Sequence, residues 1–144
     1  MNMKGKKGKK IEIISSLKQK VAEIAERNRL TLVMLFGSQS RGDVHQESDV
    51  DLAYQAAHPL SVEQEVLLNY HFTEVFGIDR VDTVDISRAS PLLSREILDQ
   101  AVVLYDKTGL AFPTFELHAL RSFAEARPLF DMRREKIDMF ARAI

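Results

Sequence analysis

The sequence has no cysteine among its 144 residues, and it has no apolar run long enough to cross a membrane. Without cysteine there can be no disulfide bond and no thiolate metal site, so a bound metal ion would need oxygen or histidine ligands. The N-terminus is basic, but no continuous apolar segment follows it, which argues against a secretory signal. We therefore expect a cytoplasmic protein that does not span a membrane.

Charge is mixed along most of the chain and concentrated at its start. Charged residues make up 28% of the sequence and the formal net charge is −1, as in ordinary globular proteins. Five lysines stand in the first ten residues, so the remainder carries −6. We expect residues 1–10 to be a basic flexible tail and residues 11–144 to be a single domain. Contact of the tail with nucleic acid or an acidic partner is the alternative.

The most informative stretch is an apolar segment that ends at a glycine. Leu30–Phe36 is apolar almost throughout, which predicts a buried central strand. Gly37 and Ser38 then predict a tight turn, because glycine lets the backbone approach a ligand closely and the following N–H groups can face it. Such a turn is suited to binding an anion.

Two carboxylates follow after ten intervening residues. Asp49 and Asp51 alternate with Val50 and Leu52, so on a strand both carboxylates leave one face while both aliphatic side chains enter the core. At about 4 Å and an effective dielectric constant near 20, two such charges repel each other by about 4 kcal/mol. Divalent cations remove this repulsion, and Mg²⁺ suits oxygen ligands. A phosphate-binding turn beside such a pair is suited to a nucleoside triphosphate.

The spacing of these residues resembles the signature of a known family. Gly37-Ser38, ten residues and Asp49-Val50-Asp51, with Arg41-Gly42 between them, is similar to the DNA polymerase β-type nucleotidyltransferase superfamily. The short chain resembles its minimal nucleotidyltransferase (MNT) antitoxin branch. The resemblance implies that Asp49 and Asp51 are catalytic and bind Mg²⁺, and that Gly37, Ser38 and Arg41 bind the nucleotide, ATP. It also implies a third carboxylate on a neighbouring strand.

That third carboxylate has two candidates in one predicted strand. Asp82 and Asp85 are separated by an odd number of residues, so their side chains leave opposite faces and only one can join the cluster. The local pattern does not decide between them. The family's Val-Asp-x-Val pattern aligns with Val81-Asp82-Thr83-Val84 and favours Asp82 as the third catalytic and metal-binding residue. Asp85 is then expected to be a surface or strand-end carboxylate.

Arg41 has two interpretations that the sequence leaves open. Its guanidinium could neutralise the triphosphate, or it could pair with Asp43 or Glu47 and fix the intervening loop. The histidines show no ligand spacing with one another, and we expect each of them to be structural. The predicted metal site therefore consists of carboxylates.

The order of predicted elements indicates a small α/β domain. We expect a mixed sheet of about four strands, with helices mainly on one face and the other face open for Asp49 and Asp51. The resemblance implies the same arrangement, the nucleotidyltransferase fold. Ser61 with Gln64 predicts a capping box, and Ser90-Pro91 predicts another helix start. The predicted segments are helix 11–28, strand 30–36, strand 49–54, a helix between Ser61 and Gly77, strand 80–86, helix 90–99, strand 101–105 and a helix from 112 that Pro128 kinks or splits.

Three functions are compatible with these observations. The resemblance implies an adenylyltransferase that transfers AMP from ATP to a tyrosine of a separate HEPN-domain ribonuclease toxin. A non-catalytic antitoxin that acts by occlusion is the second, although the carboxylates are intact. A small-molecule nucleotidyltransferase is the third, but such enzymes usually add a helical domain. A homo- or hetero-oligomer is compatible with each. Apolar residues after Pro113 exceed what the sheet needs and predict a docking face.

Overall fold

In the part of the chain that the structure describes, four strands form one mixed sheet and four helices cover it. The computed structural model describes residues 3–37 and 50–143, so Ser38, Arg41 and Asp49 lie outside the described residues. The elements are α1 (Met3–Arg27), β1 (Leu30–Phe36), β2 (Val50–Ala56), α2 (Val62–Phe76), β3 (Val81–Asp85), a 3₁₀ turn (Ile86–Arg88), α3 (Pro91–Gln100), β4 (Val102–Asp106) and α4 (Ala111–Arg142).

The sheet order places the two strands that carry the predicted site side by side. The strands are arranged β3-β2-β1-β4. Strand β1 is antiparallel to β2 and to β4, whereas β2 and β3 are parallel and are joined through α2. A parallel pair needs a crossover of this kind, and α2 supplies it. The mixed sheet of four strands confirms the predicted fold class.

The distribution of helices differs from the prediction in one respect, because both faces of the sheet are covered. Helices α1 and α2 pack on the face that carries Val33, Leu52 and Tyr54. Helices α3 and α4 pack on the opposite face, against Met34 and Ala53. The expectation of helices mainly on one face was wrong, since helical periodicity shows which side of a helix is apolar but not which sheet face it covers. Asp51 shares a face with Ala53, at the edge of this second layer.

The capping signals read from the sequence are present. Ser61 accepts a hydrogen bond from the Gln64 N–H, and the Gln64 side chain accepts one from the Ser61 N–H, which completes the capping box. Gly77 ends α2 in the left-handed conformation with φ 63°. Ser90 caps α3 ahead of Pro91. These local devices fix both ends of α2 and hence the course of the crossover from β2 to β3.

Most element boundaries agree with the sequence to within two residues, and two helices differ. Strand β1 has the predicted bounds. Helix α1 begins at Met3 instead of residue 11, so the backbone of the lysine-rich stretch is helical. Whether residues 1–10 act as a tail separate from the domain stays a prediction. Helix α4 continues through Pro128 without being split. None of the described helices is long and apolar enough to span a membrane.

Helix α4 belongs to the domain only along its first half. Phe115 and Ala119 are its buried residues, and both pack in the second face of the sheet. Every described side chain from residue 131 onwards is exposed. Large apolar side chains are among them, including Ile137 and Phe140, which are 59% and 73% exposed. The last three turns of α4 therefore leave their apolar side chains largely exposed.

Asp106, at the end of β4, accepts hydrogen bonds from the loop and from the start of α4. Its Oδ1 accepts hydrogen bonds from the N–H groups of Thr108, Gly109 and Ala111 at 3.3, 3.0 and 3.1 Å. Its Oδ2 accepts one from the Phe112 N–H at 3.0 Å. Partial burial acts to raise the pKa of Asp106, but these four donors outweigh it and lower the pKa below its ordinary value.

We expect Asp106→Ala to destabilise the domain by about 1–3 kcal/mol, because several N–H groups at the start of α4 lose their acceptor. The lowered pKa means that the charged form stabilises the fold at neutral pH and that this contribution is lost as the pH falls through the folded-state pKa. The difference in unfolding free energy between parent and variant should thus narrow below pH about 4. Urea unfolding at pH 7 and pH 3 measures it, and a constant difference would contradict the assignment.

Candidate active site

Gly37 stands at the end of β1 in a conformation that other residues rarely adopt. Its φ is +79°. A Cβ atom built on Gly37 would overlap with Oδ2 of Asp51, so the carboxylate rests against the space that a side chain would fill. Glycine is therefore required twice at this position, for the backbone angle and for the contact with Asp51. The predicted turn itself stays a prediction, because Ser38 lies outside the described residues.

Asp51 and Asp82 occupy neighbouring positions on neighbouring strands. They are paired in the register of the parallel strands β2 and β3. Paired residues of adjacent strands direct their side chains to the same face, and such strands lie about 4.8 Å apart. The two carboxylates therefore share one face of the sheet, near the end of β1 that leads into Gly37. Two of the three predicted acidic residues are brought together in this way.

Asp82 is accessible and paired with a basic neighbour. Its side chain is 47% exposed, and its Oδ1 lies 3.5 Å from Nε of Arg80. Arg80 is itself 69% exposed, so the ion pair is a surface pair that contributes little to stability. Arg80 therefore places a positive charge next to Asp82 at the surface of the protein. Sequence reasoning missed Arg80, although its position two residues before Asp82 places it on the same strand face.

Asp85 serves the fold on the other side of the strand. It is paired with Tyr54 in the parallel register, three residues along β2 from Asp51, and therefore faces away from Asp51. Its Oδ1 accepts hydrogen bonds from the Ser87 N–H at 2.9 Å and the Ser87 hydroxyl at 2.7 Å, which caps the 3₁₀ turn. Oδ2 lies 3.5 Å from Nε of Arg88. These contacts, which Asp85 makes among the described residues, stabilise the 3₁₀ turn.

Tyr54 lies beside this second acidic group and is not a candidate nucleophile. Burial raises the pKa of Tyr54 to about 12, the negative charges of Asp85 and Glu65 add to the effect, and Arg88 opposes it. The phenol therefore stays protonated at neutral pH. Tyr54 is 3% exposed and belongs to the core between β2 and α2.

The described part of the site offers oxygen ligands only. Among residues 15–37 and 50–143, no group of three or more histidine, aspartate or glutamate side chains is arranged to hold a metal ion. Asp49 lies outside those ranges, so only two of the three predicted ligands can be placed. Carboxylate oxygens from Asp51 and Asp82 are the donors that Mg²⁺ prefers, and the residues present fit such an ion.

Gln100 completes the surroundings of Gly37 and was not predicted. The Gly37 N–H donates a hydrogen bond to Oε1 of Gln100 at 2.8 Å. The two residues are 63 positions apart in the sequence and meet because β4 follows α3 and pairs with β1. No local pattern marks this contact, which depends on the register of two strands.

A small mixed sheet with Gly37 beside paired carboxylates on adjacent strands is the arrangement that the resemblance to nucleotidyltransferases implies. The polymerase beta nucleotidyltransferase family model matches residues 19–109, a range that includes every predicted site residue. The chain belongs to this nucleotidyltransferase family.

Several characterised proteins are similar to the chain. The protein adenylyltransferase MntA of Aphanizomenon flos-aquae is 26% identical over 144 aligned positions, covering 86% of this chain and 96% of that protein. The protein adenylyltransferase MntA of Shewanella oneidensis is 35% identical over 77 positions, covering 54% of this chain and 55% of that protein. A crystal structure of a toxin-antitoxin with AMP-PNP matches with a TM-score of 0.69 and 28% identity, covering 86% of this chain and 98% of that one.

Proposed function

We propose that the protein is an adenylyltransferase antitoxin, which transfers AMP from ATP to a tyrosine of a partner HEPN-domain ribonuclease toxin. The observation that carries this proposal is the register of Asp51 with Asp82 beside the Gly37 turn. Similar proteins named protein adenylyltransferases support the reaction, and the similar toxin-antitoxin structure with AMP-PNP supports both the nucleotide and the partner. A cytoplasmic location remains a prediction.

The residues divide into two groups by role. Gly37, Ser38 and Arg41 are proposed to bind the outer phosphates of ATP, where the glycine conformation brings the backbone close. Asp49, Asp51 and Asp82 are proposed to hold Mg²⁺ and to carry the catalysis. When bound, the ion would neutralise the charge of the phosphates and of the departing pyrophosphate.

The proposed reaction is an in-line displacement at the α-phosphorus of ATP. A bond forms between the tyrosine hydroxyl oxygen and the α-phosphorus, and the bond from that phosphorus to the β-phosphate oxygen breaks. The hydroxyl proton passes to the Asp82 carboxylate and the bond electrons leave with pyrophosphate. The exposure of Asp82 at the open edge of the site leaves room for a protein acceptor to bring its tyrosine there. Positioning and charge neutralisation provide most of the acceleration.

Incubation of the purified protein with a purified HEPN toxin, ATP and Mg²⁺ tests the proposal. We expect the intact mass of the toxin to rise by one or more AMP groups and its ribonuclease activity to fall, with no mass change when EDTA replaces Mg²⁺. A toxin with phenylalanine in place of the modified tyrosine is the matched control and should keep its mass. An unchanged mass after full neutralisation would contradict the proposal.

Occlusion without chemistry is the second candidate function. The exposed end of α4 favours occlusion, because a tight complex formed there could block the toxin without any reaction. The same incubation distinguishes the two, because occlusion needs neither ATP nor Asp51. A small-molecule nucleotidyltransferase activity is the third candidate, and no observation on the described residues favours it.

A further inference from the structure

None of the roles proposed above for the site residues uses the hydrogen bond between Gln100 and Gly37. Gln100 is the last residue of α3 and is partly buried. Its helix is anchored in the core by Ile97 and Ser94, which are 0% and 3% exposed. A side chain at the end of so well packed a helix has a defined position, which suits it to fixing another group.

Strand register explains why these two residues meet. Leu35 is paired with Val102 in the antiparallel pair of β1 and β4. Continuing that register by two residues along each strand brings Gly37 opposite Gln100, where α3 ends and β4 has not yet begun. A backbone carbonyl would accept the Gly37 N–H if the strand continued. The Gln100 side-chain oxygen takes the place of that carbonyl, at 2.8 Å.

Gly37 is thereby held between two side chains. The Asp51 carboxylate packs against the Cα of Gly37 on one side, and the Gln100 amide accepts its N–H on the other. Any rotation of the turn that breaks the Gln100 hydrogen bond also moves the surface against which Asp51 rests. The acceptor is neutral, so it adds no negative charge beside Asp51 and the phosphates.

We propose that Gln100 is a positioning residue for the nucleotide site, which fixes the backbone of Gly37 where the outer phosphates of ATP would bind. This inference rests on the proposed function, because it assigns the fixed turn to ATP binding. Gln100 acts on the shape of the site before ATP binds, and it does not touch the reacting atoms. Loss of the Gln100 acceptor should weaken the binding of ATP equally in the ground state and in the transition state.

Gln100→Met tests the proposal, because methionine has a similar length but no strong acceptor. We expect the KM for ATP to rise about tenfold while kcat stays within about threefold, the pattern of lost uniform binding. Amide hydrogen exchange at Gly37 should also accelerate in the variant without nucleotide, a result that does not depend on catalysis. Gln100→Ser serves the same purpose if the methionine variant does not fold.

Gln64→Met is a matched control. Gln64 also accepts a backbone N–H through Oε1, from Ser61 at 2.9 Å, but it lies in the capping box of α2. That variant should lose some stability and keep the parent's KM for ATP.

Three results would overturn the positioning role: an unchanged KM with slow Gly37 exchange, a lower KM that shows Gln100 competing with phosphate, or a fall in kcat alone. A parent protein that fails to bind ATP would instead refute the proposed function, and the inference with it.

Discussion

Replacing Asp82 with asparagine is expected to abolish AMP transfer, whereas Asp85→Asn should retain most of it. The two residues lie on one strand, but only Asp82 is paired with Asp51 on the same face of the sheet. Removing a charge that stabilises the transferring phosphoryl group costs about 10²–10³-fold in kcat or more. We expect Asp51→Asn and Asp49→Asn to have the same effect as Asp82→Asn. Rates of AMP incorporation into the toxin measure these losses.

The free energy of unfolding should rank these variants in the opposite order, with Asp85→Asn the least stable. Asp82 has one exposed ion pair with Arg80, so its replacement by asparagine should leave the unfolding free energy nearly unchanged. Asp51→Asn should hold or raise it, because repulsion between neighbouring carboxylates is removed without making a cavity. Asp85→Asn loses the charge on a cap and an ion pair and should cost about 1 kcal/mol. If Asp82→Asn were active and Asp85→Asn were inactive but fully stable, Asp85 would be the third catalytic carboxylate and Asp82 would not.

The sequence was sufficient for features that depend on neighbouring residues. The capping box of Ser61 and Gln64 and the glycine at the end of α2 follow from local backbone chemistry and are present. The bounds of β1 follow from an apolar segment with a glycine at its end. The family was predicted from the spacing of a turn and an alternating acidic pair, and the match of its model confirms it.

Features that depend on how strands pair could not be predicted in the same way. The pattern around Asp82 and Asp85 was compatible with either as the third carboxylate, and the register of β2 with β3 is what places Asp82 beside Asp51. The contact of Gln100 with Gly37 depends on the register of β1 with β4, which shifts between Val33 and Met34. A strand irregularity of this kind leaves no clear mark in a single sequence. The expectation of helices mainly on one face failed for a related reason, since the position of α3 and α4 on the second face depends on the tertiary fold.

The projecting end of α4 leads to the last prediction, which concerns recognition of the toxin. An isolated helical segment of about 13 residues is marginal in water, so the exposed apolar turns after Pro128 need a covering surface. Beside them a cleft of about 660 Å³ lies between α3 and α4, lined by Phe123, Phe130 and Ile137. The start of α4 packs on the sheet face that also carries Asp51. A toxin bound along α4 would therefore lie on the same side of the sheet as Asp51 and Asp82.

We expect the double variant Ile137→Asp/Phe140→Asp to fold as the parent does and to lose affinity for the HEPN toxin by at least about 100-fold. Both side chains are mostly exposed in the free protein, so the charges cost little there, but they would be desolvated in the complex. Val62→Asp/Val66→Asp is the matched control, since these valines are 76% and 64% exposed on α2, which covers the opposite face. Calorimetric titration with the toxin measures the affinities, and light scattering reports the size of the free protein. Unchanged toxin affinity in the α4 variant would place the docking surface elsewhere, and a dissociating homo-oligomer with intact toxin binding would assign the α4 face to a second copy of the chain.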